Sequence, residues 1–169
     1  MKYLSYTLTV LLFPLMTFCQ DITGLWKGNM TDDSTKTSLE YEVHISKENG
    51  KYIGFSHTWF LINEKKYYGI KKIKVSIAKD GKIILQDMKL IDNNYPLLPY
   101  KDVRQLNVLD LANQGGDAVL EGLFVTNQTT NYKELSGLVR VKKINTSGDS
   151  DLMIYLQKNN GDNNLTAVK

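Results

Sequence analysis

Tyr41-Glu42-Val43-His44-Ile45-Ser46-Lys47-Glu48-Asn49-Gly50-Lys51-Tyr52-Ile53-Gly54-Phe55-Ser56-His57-Thr58-Trp59 is the stretch that decides the fold. Tyr41, Val43 and Ile45 alternate with Glu42, His44 and Ser46, the period of a half-buried strand. Asn49-Gly50 then supplies the two residues that tolerate positive φ in a tight hairpin turn. Ile53, Phe55, His57 and Trp59 carry the alternation into a second strand. Working outward, Ile73-Val75-Ile77 alternates with Lys72-Lys74-Ser76, and Lys79-Asp80-Gly81-Lys82 reads as another turn. Strands are expected near residues 22–30, 39–47, 51–60, 67–78, 82–91, 102–111, 118–126, 135–144 and 151–158. Tight connections make neighbours antiparallel. A meander of that length gains by closing, because closure removes its edges. The expected fold is therefore all-β: an eight- to ten-stranded up-and-down barrel, with a two-sheet sandwich as the alternative. No linker divides residues 20–158, which read as one domain, and 159–169 read as a polar tail.

Composition excludes several functional classes. The chain has 169 residues, with 21 basic and 18 acidic side chains and a net charge of +3. Interspersed signs of that magnitude do not make a nucleic-acid footprint. Ten Tyr, five Phe and two Trp are too many aromatics for a disordered chain. A single cysteine excludes a disulfide framework within the chain.

The first residues read as an export signal. Lys2 supplies a positive charge, Leu8 to Phe18 is an apolar run, and Thr17 and Cys19 occupy the small-residue positions of a cleavage site before Gln20. The run is too short to span a bilayer, and Pro14 interrupts it. Residues 1–19 are thus expected to be a signal peptide, and the mature chain to carry no transmembrane segment. Periplasmic or extracellular location follows, the alternative being a lipid anchor through Cys19. Nineteen lysines against two arginines suggest AT-rich codons and a bacterial source.

Asp21-Ile22-Thr23-Gly24-Leu25-Trp26-Lys27-Gly28 resembles the Gly-x-Trp opening of the lipocalin and calycin barrels. The resemblance implies that Trp26 closes the barrel floor from the first strand, beneath a basic residue of a late strand. Arg140, in Leu138-Val139-Arg140-Val141, is the residue it would place there, with a cation–π contact as the physical bond. Only Trp26 and Arg140 are carried over. No Thr-Asp-Tyr appears in the middle of the chain, and no late helix is read.

Residues for chemistry are sparse. His44 is in phase with Glu42 and Ser46, His57 with Phe55 and Trp59, so the two histidines are expected on opposite faces. Without a mature cysteine, no metal site is expected, and no cofactor motif is present. Ser56 and His57 are adjacent on a strand and point apart, so they form no dyad. Asp87 and Glu121 lie mid-strand and are the carboxylates to consider for glycoside chemistry. No catalytic residue is assigned. The lysines at 65, 66, 71, 72 and 74 read as a solvated strand face.

Three functions follow as expectations. In the first, a small apolar or amphipathic ligand sits in the lumen, lined by Phe55, His57, Trp59 and Tyr68, with Trp26 closing the floor. In the second, the barrel is a packed cell-envelope module, contacting a protein partner through the loop holding Tyr95, Leu97, Leu98 and Tyr100. In the third, clustered aromatics at strand ends stack on a glycan.

Overall fold

The computed structural model describes residues 21–162 apart from 63, 97–102, 131, 146–147 and 149. The expected signal peptide, and Leu97, Leu98 and Tyr100, lie outside the described residues.

Eight strands follow one another: β1 Gly24–Asp32, β2 Ser38–Glu48, β3 Lys51–Ile62, β4 Lys65–Ile77, β5 Ile83–Asn93, β6 Gln105–Gln114, β7 Asp117–Thr126 and β8 Ser136–Ile144. Each pairs antiparallel with its sequence neighbour. β8 then pairs with β1, from Leu25 opposite Ile144 to Asp32 opposite Gly137, and closes the barrel. The up-and-down barrel is the fold, and the sandwich is excluded. Asn49 and Gly50, at φ of 48° and 77°, make the β2–β3 turn, as a two-residue hairpin requires.

Residues directly opposite one another on paired strands share a face, so the register fixes which side of each strand is inside. Trp26 faces Val43, Val43 faces Ser56, and Ser56 faces Lys71. The buried core runs along this row and its neighbours, with Trp26, Tyr41, Val43, Ile45, Ile73 and Leu85 among its members. The barrel interior is therefore lined by the even residues of β1 and β3 and the odd residues of β2 and the C-terminal half of β4.

The ninth expected strand is corrected: residues 151–162 form helix α1, Asp151–Asp162. Leu152, Ile154 and Leu156 imitate strand alternation, but Leu152 is buried while Ile154 is more than half exposed. The helix begins where Ser150 caps it. Ser150 Oγ accepts from Met153 N at 3.1 Å, and Ile154 N donates to Ser150 O at 3.0 Å, satisfying amide groups that a helix start leaves orphaned. Asp151 adds a negative charge in the first turn, which the helix dipole favours. The chain thus has a late helix, and Asn159–Asp162 belong to it rather than to a tail. α1 packs on the outside of the barrel, over β2 and β3.

Candidate functional site: the open end of the barrel

One end of the barrel is plugged. Trp26 has no exposed surface, and its Nε1 donates to Ile22 O at 3.0 Å. Ile22, Ile45, Ile73, Val75 and Ile83 fill the space around it. The other end, where the long β5–β6 and β7–β8 connections lie, holds a cavity of about 330 Å³. That is the lower end of the range of small-molecule pockets, ~300–1,000 Å³. Met30, Leu39, Phe60, Leu90, Phe124 and Leu135 supply much of its apolar wall. Space exists because small residues face one another there: inward-facing Thr58 lies opposite Gly69. A Cβ on Gly69 would collide with the Tyr95 hydroxyl, so the glycine also admits Tyr95 to the cavity wall.

A polar layer separates cavity from plug. Lys71 and Asp87 form an ion pair on the β4–β5 wall, with side chains 13% and 7% exposed. Gln105 N donates to Asp87 Oδ2 at 2.9 Å. Gln105 Nε2 donates to Asn107 Oδ1 at 2.7 Å, and Asn107 Nδ2 donates to Tyr41 Oη at 3.2 Å. Burial first, and the Asp87 charge second, push both the Tyr41 and the Tyr95 phenols well above their ordinary range. Both therefore stay protonated near neutral pH.

The Asp87 carboxylate also marks a seam. β5 and β6 pair only over Ile83–Gln86 against Leu106–Leu109, whereas β6 and β7 pair from Gln105 opposite Thr126 to Gln114 opposite Asp117. Where the β5–β6 ladder stops, the Asp87 side chain takes the Gln105 amide that a backbone carbonyl would otherwise accept. Beyond that point the two strands part, and Met88, Lys89, Val103 and Arg104 border the cavity.

The lumen residues expected from sequence are placed differently. Phe55 pairs with His44, and His57 with Glu42; these lie on the outer face. Trp59 and Tyr68 are opposite each other on that same face, and of the four only Trp59 reaches the cavity, at its rim. The two histidines share a face instead of opposing one another. The apolar phase of β3 lies on the outer face, where α1 packs over β2 and β3: His57 is buried there and Phe55 and Trp59 are half-buried, so the unforeseen helix made the inside and outside change places.

That outer face is a tight cluster. The Glu42 carboxylate, almost fully buried, accepts from Ser150 Oγ at 2.8 Å and Leu152 N at 2.9 Å, and pairs with Lys27 at 3.0 Å. Burial alone would raise its pKa, but the Leu152 amide, Lys27 and Ser150 outweigh burial and hold the carboxyl below its ordinary value. His57 is 3% exposed, and neither ring nitrogen has a partner among the described residues. Its ring lies 4.7 Å from Trp59 and 5.5 Å from Tyr68. Burial lowers its pKa, against the opposing pull of Glu42, Asp151 and Glu40. Lys66 Nζ lies over the Trp59 ring at 4.2 Å. With His57 and Lys66 both against it, the indole is engaged by the protein itself and offers a glycan no open platform.

Three further expectations change. Arg140 does not cover Trp26. It is on the outer face of β8, bonded to Gln114 and paired with Glu121 at 3.4 Å. Lys143 does the covering, its Nζ 5.7 Å from the Trp26 ring centroid and 3.1 Å from Asp21 O. Lys143 is in phase with inward Val139 and Val141, whereas Arg140 is out of phase; the alternation itself distinguishes them. Glu121 faces out and Asp87 faces in, so they form no carboxylate pair. Lys71, grouped with solvated lysines in the sequence, is in phase with core residues Ile73 and Val75 and turns inward.

Comparison of the chain with protein-family models, curated proteins and solved structures finds no match.

Proposed function

We propose that this protein is an exported carrier or sensor that acts by binding, holding a small, largely apolar ligand in the open end of its barrel. The observation that carries the proposal is the cavity: a ligand-sized space with an apolar wall, open at one end and floored by a hydrogen-bonded polar layer. Ligand sites commonly have this composition, mostly apolar with few fixed polar groups. The likeness to lipocalin-type barrels gains support from three features: the closed eight-stranded barrel, a basic residue of the last strand over Trp26, and a late helix packed outside. None of these names a ligand.

Native mass spectrometry of the protein purified from its own source tests the proposal. An adduct present in the native mass and lost on denaturation is the expected result. A bare native mass, together with no uptake of any apolar probe by the purified barrel, would overturn it. The denatured mass tests export separately. A chain beginning at Gln20 supports it, a lipid-bearing chain beginning at Cys19 moves the protein to a membrane surface, and an intact chain beginning at Met1 contradicts it.

A further inference from the structure

A buried ion pair is an odd object to find in the wall of an apolar pocket. Removing an ammonium and a carboxylate from water costs much of what their attraction returns, so such a pair contributes little to stability over an apolar pair of similar volume. Lys71 and Asp87 nonetheless sit side by side in the cavity wall, both largely buried, on adjacent strands whose other inward residues there include Ile73, Val75 and Leu85. Their hydrogen-bonding capacity is not used up. An ammonium has three protons and a carboxylate two oxygens. Among the described residues Lys71 donates only to Asp87 Oδ2, the same oxygen that accepts from Gln105 N. Asp87 Oδ1 and the remaining Lys71 protons have no described partner. Tyr95, packed against Gly69 on the same wall, adds a phenol that stays protonated.

We propose that this pole is the head-group seat of the cavity: the ligand enters polar end first, and that end is a neutral group that both donates and accepts, a hydroxyl or a primary amide. The inference rests on the proposed ligand-binding function and specifies its chemistry. A neutral donor–acceptor head can donate a hydrogen bond to Asp87 Oδ1 and accept one from Lys71 or Tyr95. A carboxylate head would be pressed against Asp87, and an ammonium head against Lys71, in a site where little water screens the repulsion. An alkane would leave the pole desolvated and unpaired. The apolar tail then extends along Leu39, Phe60 and Phe124 toward the open end.

The test is competition against the neutral dye N-phenyl-1-naphthylamine, followed by its fluorescence at pH 7.5. The competitors share one chain length: 1-decanol, decanamide, decanoate, decyltrimethylammonium and decane. Decanol and decanamide are expected to compete roughly tenfold or more better than the other three, the scale of hydrogen bonds to charged groups. The double variant Lys71→Met/Asp87→Asn keeps an oxygen for Gln105 N. It should still bind the dye, melt near the wild-type temperature and lose that preference. Tyr95→Phe, which leaves the seam untouched, should lose part of it. Dye binding with all five competitors equal, or a preference that survives both variants, overturns the head-group seat and leaves the cavity function standing. Absence of dye binding, with no competitor altering the melting temperature, overturns both.

Discussion

The two faces of β3 carry opposite kinds of residue. Inward are Gly54, Ser56 and Thr58; outward are Phe55, His57 and Trp59. In a barrel with nothing outside it, the bulky apolar face would be the core and the small polar face would meet water. Here the outer face has its own cover, helix α1, held down by Glu42 at the helix start. Bulk outside is therefore burial without a lumen, and small residues inside become the space a ligand needs. The contrast separates stability from function along a single strand: the outer face holds the fold together, and the inner face leaves room.

Four perturbations could break or sharpen that contrast. The largest effect is expected from Leu152→Ala, since Leu152 is wholly buried beneath the helix. It should cost about 2–5 kcal/mol, read by urea unfolding, with little change in dye affinity. Equal loss of binding would mean that the helix face is part of the site. Glu42→Gln comes next. It weakens charge-assisted bonds to Ser150 and Leu152 and should cost ~1.5–3 kcal/mol, with amide exchange fastest in α1. Uniform exchange across the barrel would deny the clamp.

Acid is the third perturbation. Burial lowers the pKa of both His44 and His57 in the folded chain. The unfolded chain therefore takes up protons first. Stability should be full above the ordinary histidine value of ~6.5 and fall as pH drops through it toward the folded values. The charged groups facing His57 are Glu42 and Glu40 from β2, Lys66 from β4 and Asp151 from α1, with the Tyr68 phenol beside the ring. Glu42, itself held low, should hold its contribution through this window and surrender it only in stronger acid. His57→Phe should flatten the pH 5–7 limb of a thermal-melt series; an unchanged limb would assign the acid lability elsewhere. The smallest effect on stability is expected from Thr58→Phe. Its ring enters space already present, so unfolding should shift by less than about 1 kcal/mol, while dye binding should be abolished. Retained binding would place the ligand elsewhere.

How much of this is written in the sequence can be judged residue by residue. Period-two alternation from Tyr41 to Ile45 and from Ile73 to Ile77, with glycine turns between, is a local signal, and it is enough for the strands and their antiparallel order. Trp26 as a buried anchor is legible from its place at the head of the first strand. The face of β3 is not, because alternation says that two faces differ and not which is inside. That choice depends on α1, and α1 was hidden by Leu152, Ile154 and Leu156, which alternate like a strand. The signal that could have found it is Ser150-Asp151, a helix cap followed by an acidic first turn. Lys71, Asp87 and Lys143 carried a readable signal as well: each is a charged residue on the apolar phase of its strand. Lys71 was obscured by the surrounding lysines, and Lys143 by the more familiar pairing of arginine with tryptophan. The cavity itself depends on Thr58 lying opposite Gly69, a register match no single strand reveals.

The most direct test is chemical-shift mapping of the backbone amides as a neutral ten-carbon alcohol is titrated into the protein. Perturbations concentrated at Thr58, Phe60, Phe124, Thr126 and Leu135, with Phe55, His57 and Met153 still, are the predicted result. Shifts centred on Phe55, His57 and the start of α1, with the inner wall silent, would place the ligand on the outer face and contradict the division of labour proposed for β3.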